Sequence, residues 1–263
     1  MRDSMTTQRS VSETDSQATL PTAGVLLIHG LNGSLTDMAE VDVVLQKHNL
    51  VTRNMLLPGH GSHVREMLSL GWPEWAEAVR AEFRELKKTC DRVFVVGHSL
   101  GGALALHTAA HEEVAGVVSM CSPLYLQAWL GPAIRAAKYL VPLVPTWRED
   151  VRDREARQRY ARDVYRWTPM RPVESLINYL PILREELPLI TAPSLIMISA
   201  RDHVVPARDG REIYHRIGSR EKYLVTFRSS YHVIMKDHDR AEVFAKTEAF
   251  ILRHARNMRC DPF

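Results

Sequence analysis

The sequence predicts an α/β fold in which a mostly parallel sheet lies between two layers of helices. Three observations predict it: apolar runs of strand length recur along the chain, helical stripes fall between them, and the runs are apolar continuously instead of at every second residue. Continuous runs suit strands buried on both faces, and strand–helix alternation implies right-handed crossovers and a doubly wound sheet.

Residues 1–20 are rich in Ser, Thr and Gln and contain no apolar run. They read as a disordered N-terminal tail without a secretory signal. Strands are expected at residues 24–28, 92–96, 114–120, 194–199 and 223–227, with a weaker one at 51–55. Residues 73–88 begin with Pro in the first turn and carry Trp75, Val79, Phe83 and Leu86 at spacings of three and four, the mark of an amphipathic helix. A helix of small residues is expected at 103–110, and further helices at 211–217 and 239–256. Residues 123–193 break the alternation: no convincing strand is visible, prolines recur, and Trp129, Trp147 and Trp167 stand among them. The stretch 148–166 is dense in Arg, Asp and Glu and reads as a solvated helix face. An insertion this long inside an α/β sheet is usually functional, so residues 123–190 are expected to form a cap (lid) on a core made of 21–122 and 191–263.

Composition excludes several classes. With 45% hydrophobic and 25% charged residues in 263, the chain is ordinary for a soluble globular protein. Its net charge of +3 forms no basic run, which argues against nucleic acid as a partner. No stretch approaches the length of a transmembrane helix. Three widely spaced cysteines, Cys90, Cys121 and Cys260, suit reduced thiols and a cytoplasmic setting better than disulfides or a zinc site.

The sharpest motif is Gly97-His98-Ser99-Leu100-Gly101, set between an expected strand and an expected helix. A nucleophile elbow needs that context, because the turn forces Ser99 into strained backbone and leaves no room for side chains two residues either side. A serine hydroxyl needs a base, and the base needs an orienting acid. Asp202 follows the strand at 194–199, and His232 follows the one at 223–227. Both therefore reach the sheet edge where open α/β sheets bind ligands. Asp209 is the weaker rival acid, because it falls inside the next helix. Among the 12 histidines, His203 is too near the acid in sequence, His238 reads as a neighbour of a helix cap, and His98 as a packing residue directed away from the serine. The backbone N–H groups of Leu31, after His29-Gly30, and of Leu100 are candidates for an oxyanion hole. Residues 58–63 offer His60 and His63 without a carboxylate at metal spacing and read as a glycine-rich surface turn. No metal and no cofactor is expected.

The blocks Leu26-Leu-Ile-His-Gly-Leu-Asn-Gly33, Leu57-Pro-Gly-His-Gly61, Gly97-His-Ser-Leu-Gly101, Asp202-His-Val-Val-Pro206 and Ser230-Tyr-His-Val233 resemble the small bacterial carboxylesterases and monoacylglycerol lipases of the α/β-hydrolase superfamily. The resemblance runs from about residue 21 to 256 and includes Met120-Cys-Ser-Pro123 and Trp167-Thr-Pro-Met170. It implies an α/β-hydrolase fold with an inserted helical cap, and a serine esterase acting on short- to medium-chain acyl esters or monoacylglycerols. It also implies Ser99, Asp202 and His232 as the triad, with the Leu31 and Leu100 amides beside it. A cap over such substrates implies transient lipid contact. The Arg-rich cap departs from the family pattern, and the cap shapes the alcohol pocket. Thioester hydrolysis, acyl transfer and carbon–carbon cleavage use the same triad and remain alternatives, as does a non-catalytic ligand-binding hydrolase fold. Epoxide and haloalkane hydrolysis are disfavoured, since those relatives carry Asp where Ser99 stands.

Overall fold

The six apolar runs assemble into one sheet because most of them have to be covered on both sides. The computed structural model describes residues 23–125, 141–146, 150–160 and 165–255. The expected tail at 1–20, Trp129, Trp147 and Cys260 lie outside them. In chain order the strands are β1 (Ala23–Ile28), β2 (Val51–Met55), β3 (Arg92–His98), β4 (Gly116–Met120), β5 (Leu143–Pro145), β6 (Trp167–Pro169), β7 (Ser194–Ser199) and β8 (Lys222–Phe227). The main sheet has the order β2-β1-β3-β4-β7-β8, and every neighbouring pair in it is parallel. β1, β4 and β7 are buried throughout, whereas the edge strands β2 and β8 are mostly part-exposed, as strands covered from one side are.

Alternate side chains leave β1 for opposite cores. Leu26 and Ile28 pack with α2 (Trp72–Lys87), α3 (Leu100–His111), α5 (Met170–Glu186) and α6 (Ala207–Arg216). Val25 and Leu27 pack on the other face with α1 (Leu35–Gln46) and α7 (Arg240–Ala255). Several boundaries differ from the sequence reading. β4 begins at Gly116, because the Val114 N–H turns back to the Glu112 carbonyl at 3.0 Å. α6 begins four residues before the expected start, directly after Pro206. α1 was not anticipated, although Ser34 caps it through Thr36 N–H and Met38, Val41 and Leu45 form a buried stripe.

The chain between β4 and β7 holds a strand pair that the sequence reading did not find. β5 and β6 are antiparallel, with Leu143 opposite Pro169 and Val144 opposite Thr168. Strands of three residues with proline at an end carry no readable periodicity. The charged stretch contains α4 (Arg154–Tyr160), whose one buried residue is Ala156. Trp167 on β6 is 46% exposed. No helix among the described residues is long and apolar enough to cross a membrane.

The sheet order reverses between β1 and β3, the topological switch point where open α/β sheets form a crevice at their carboxyl ends. The loop after Ile28 and the turn after His98 border that crevice.

Candidate active site

Ser99 lies between the last residue of β3 and the first of α3, with φ 52° and ψ −117°. That is backbone a non-glycine residue adopts at a cost of about 1–3 kcal/mol. The strand and helix on either side hold it: Ser99 N–H donates to the Met120 carbonyl at 2.8 Å, and Ala103 N–H donates to the Ser99 carbonyl at 3.0 Å. The small neighbours are obligatory. A β-carbon on Gly97 would stand 2.1 Å from the Gly101 carbonyl oxygen, and one on Gly101 would stand 2.3 Å from that of Ile28. Ser99 is part-exposed between buried His98 and buried Leu100, so the turn presents it to the crevice.

Asp202 and His232 come together although 30 residues separate them: His232 Nδ1 lies 2.7 Å from Asp202 Oδ2. The other carboxylate oxygen accepts the N–H groups of Val204 at 2.7 Å and Val205 at 2.9 Å, which fixes the carboxylate plane. Burial pushes the Asp202 pKa up, but the His232 ring and the two amides outweigh it and hold the group below its ordinary value. Asp202 is therefore an anion, the Nδ1 proton of His232 is donated to it, and Nε2 is left as the basic atom.

His98 departs from its expected role. It is buried, but its ring lies 4.8 Å from that of His232, and its Nε2–H donates to the His232 carbonyl at 3.1 Å. The residue preceding Ser99 thus anchors the His232 loop. Burial, then the neighbouring His232, lowers its pKa to about 3, so it acts as a neutral donor. Asp237, fully buried, completes the loop's support. It accepts backbone N–H groups from Tyr231 and His238, and also from Arg152 and Asp153 on the segment leading to α4. Cys121 Sγ lies within 4.8 Å of a ligand atom of each member of the pair, and the residue has φ 50°. Burial and the Asp202 charge push its thiol pKa well up, leaving it protonated.

The loop after β1 is pinned by a residue the sequence reading left without a role. Leu57 N–H donates to His29 Nε2 at 3.1 Å, so His29 Nδ1 carries the proton and donates to the Gly30 carbonyl at 2.8 Å. A β-carbon on Gly30 would lie 3.4 Å from that of Ser99, which brings the Leu31 loop against the serine turn. Leu100, at the first position of α3, has an amide without an intrahelical partner. Asn32, with φ 65°, ties the same loop to β6: its Nδ2 donates to Thr168 Oγ1 at 2.7 Å, and its carbonyl accepts from Tyr165 N–H at 3.1 Å.

The remaining candidates fall elsewhere. Asp209 accepts the amides of Leu124 and Tyr125 at 2.9 and 3.0 Å and secures the chain leaving β4. His203 packs on Tyr231, and His238 is exposed immediately before α7. Gly61, Ser62 and His63 are exposed, as a surface turn requires, but His60 beside them is buried: it stacks on Tyr165 and packs against the rings of His29 and Trp75, and burial lowers its pKa to about 4.

A parallel sheet with a strained serine turn and an acid–imidazole pair at its carboxyl edge defines an α/β-hydrolase, and the chain is an enzyme of the carboxylic ester hydrolase class. The family described as "Serine aminopeptidase, S33" matches residues 19–239, and the chain belongs to it. It is similar to the thermostable monoacylglycerol lipase of Bacillus sp. (strain H-257), 29% identical over 233 residues, covering 88% of this chain and 91% of the relative. It is 23% identical to a carboxylesterase of Bacillus subtilis (strain 168) over 235 residues, covering 86% and 91%. A solved structure described with two metagenome-derived lipolytic enzymes, LipS and LipT, superposes with a TM-score of 0.81 at 29% identity, covering 89% of this chain and 95% of that one.

Proposed function

We propose that the chain hydrolyses short- to medium-chain carboxylic esters, monoacylglycerols among them, through an acyl-enzyme on Ser99. The Asp202–His232 contact of 2.7 Å beside the strained Ser99 turn carries the reading. Ser99 Oγ attacks the ester carbonyl, and His232 Nε2 takes its proton and passes it to the leaving alcohol. Asp202 holds the His232 tautomer and stabilises the imidazolium. The Leu31 and Leu100 amides receive the charge that develops on the carbonyl oxygen. Water, deprotonated by the same imidazole, then releases the acid and restores the serine.

Residues 123–190 act in this reading as the cap that shapes the alcohol side of the pocket. Exposed Trp167 on β6 supports transient contact with a lipid surface. Buried, free Cys90 and Cys121 support a cytoplasmic setting. The test is covalent labelling by a fluorophosphonate together with a panel of monoacylglycerols and p-nitrophenyl esters. Labelling and turnover that vanish in Ser99→Ala, with the circular dichroism spectrum unchanged, are expected. Turnover that survives Ser99→Ala defeats the proposal.

A further inference from the structure

Away from Ser99, α3 and α5 carry a second set of ligating side chains. His107 and His111 are four residues apart on α3, so their imidazoles share one face of the helix. Glu186, the last residue of α5, meets both: Oε2 lies 2.9 Å from His107 Nδ1, and Oε1 lies 3.0 Å from His111 Nε2. Tyr179 donates its hydroxyl to Glu186 Oε1 at 2.6 Å and is itself stacked on Trp72. One ligand atom from each of His107, His111 and Glu186 falls within 4.8 Å of the others. The side chains of His107 and Glu186 are each 9% exposed, and that of His111 is 39% exposed, which leaves a path from solvent.

We propose that His107 Nδ1, His111 Nε2 and the Glu186 carboxylate bind one zinc-class divalent transition ion, with water or the Tyr179 hydroxyl as a fourth ligand. A tetrahedral zinc with bonds near 2.1 Å sets its ligand atoms roughly 3.4 Å apart, a few tenths beyond the two nitrogen–oxygen separations of 2.9 and 3.0 Å. A small outward shift of the carboxylate and rotation of the exposed His111 ring admit the ion. The imidazoles bind as neutral ligands: on each ring the proton moves to the nitrogen that faces away, with no net proton change. Two nitrogens and one carboxylate suit zinc, cobalt or nickel, whereas magnesium and calcium require shells of oxygen. The ion would fasten α3, whose first turn adjoins Ser99, to α5. Eight residues along the helix put the site about 12 Å from the serine, so turnover does not need the ion.

The test uses full-length protein stripped with EDTA, in a His232→Ala background. That background removes the imidazole from the other such cluster among the described residues, Cys121 with Asp202 and His232. Titration with Zn2+, and with Co2+ followed by its visible d–d absorption, is expected to reach one ion per chain and to raise Tm by several degrees. His111→Ala and Glu186→Gln should each weaken binding by at least about tenfold while His215→Ala binds normally. His111 is exposed enough for its variant to fold, and circular dichroism checks both variants. No uptake, or uptake unchanged by His111→Ala, overturns the proposal and leaves the cluster as a hydrogen-bonded joint between two helices.

Discussion

Asp202→Asn keeps the shape of the side chain and changes the chemistry of one atom. The geometry dictates which way the new amide faces. Oδ1 accepts two backbone N–H groups, at 2.7 and 2.9 Å, so an NH2 group placed there would confront two donors. The amide nitrogen must therefore take the Oδ2 position, 2.7 Å from His232 Nδ1. Being a donor, it forces Nδ1 to accept, which moves the imidazole proton to Nε2. In the proposed mechanism that atom receives the Ser99 proton, so the tautomer in the resting enzyme becomes the wrong one. The loss on kcat/KM should be roughly 10³–10⁴-fold, corresponding to about 4–5.5 kcal/mol of transition-state stabilisation. Tm should change little, because volume and the two amide contacts persist. The assay is p-nitrophenyl butyrate hydrolysis with urea denaturation alongside. A rate within about threefold of wild type would show that Asp202 does not set the tautomer, and the acid would have to be sought elsewhere.

Three further outcomes are expected. Gly97→Ala places a methyl group 2.1 Å from the Gly101 carbonyl oxygen, which is backbone and cannot rotate aside. Destabilisation of about 3 kcal/mol or more with loss of turnover should follow, and a normal Tm would contradict the packing argument. Acid should destabilise the protein early. Burial lowers the pKa values of His29, His60 and His98 from 6.5 to about 3, 4 and 3, so below pH 6.5 the unfolded chain binds protons that the native one refuses. Stability complete above pH 6.5 is then lost as pH falls toward 4, at about 3 kcal/mol per histidine by two units below 6.5. Urea midpoints flat from pH 7 to 5 would refute this. Finally, Thr168→Val removes the hydroxyl that accepts from Asn32 and also contacts Thr146 Oγ1 at 2.8 Å. Stability should drop by about 1–2 kcal/mol, with kcat falling more than KM changes because the Leu31 loop loses its tie. Equal kinetics would separate β6 from that loop.

Much of the site was legible because its signals are local. The apolar run ending at His98, the glycines at 97 and 101 and the small-residue helix after them announce one turn, and steric necessity accounts for each. Asp202 and His232 were legible for a different reason: each directly follows a strongly apolar strand, and a parallel sheet delivers all such residues to one edge. What stayed hidden depends on partners remote in sequence. Nothing near His98 in the chain says that it will meet the His232 carbonyl 134 residues away. His60 looked like part of a surface turn, because its burial comes from Trp75 and from Tyr165, whose ring reaches it only after the chain has folded back. The same holds for β5 and β6, too short for a periodic signal and paired with each other.

The sequence by itself determined the parallel sheet, its two helix layers and the three side chains at its carboxyl edge, since strand burial and the serine turn follow from residue type and spacing a few positions apart. Tertiary structure alone decided which ring atom of His232 faces Asp202, which buried imidazoles stay neutral, and how Asn32 and Asp237 tie the site to the segment between β4 and β7. Those are matters of hydrogen-bond direction and desolvation, and they have no value until distant backbone groups have been brought within about 3 Å of one another.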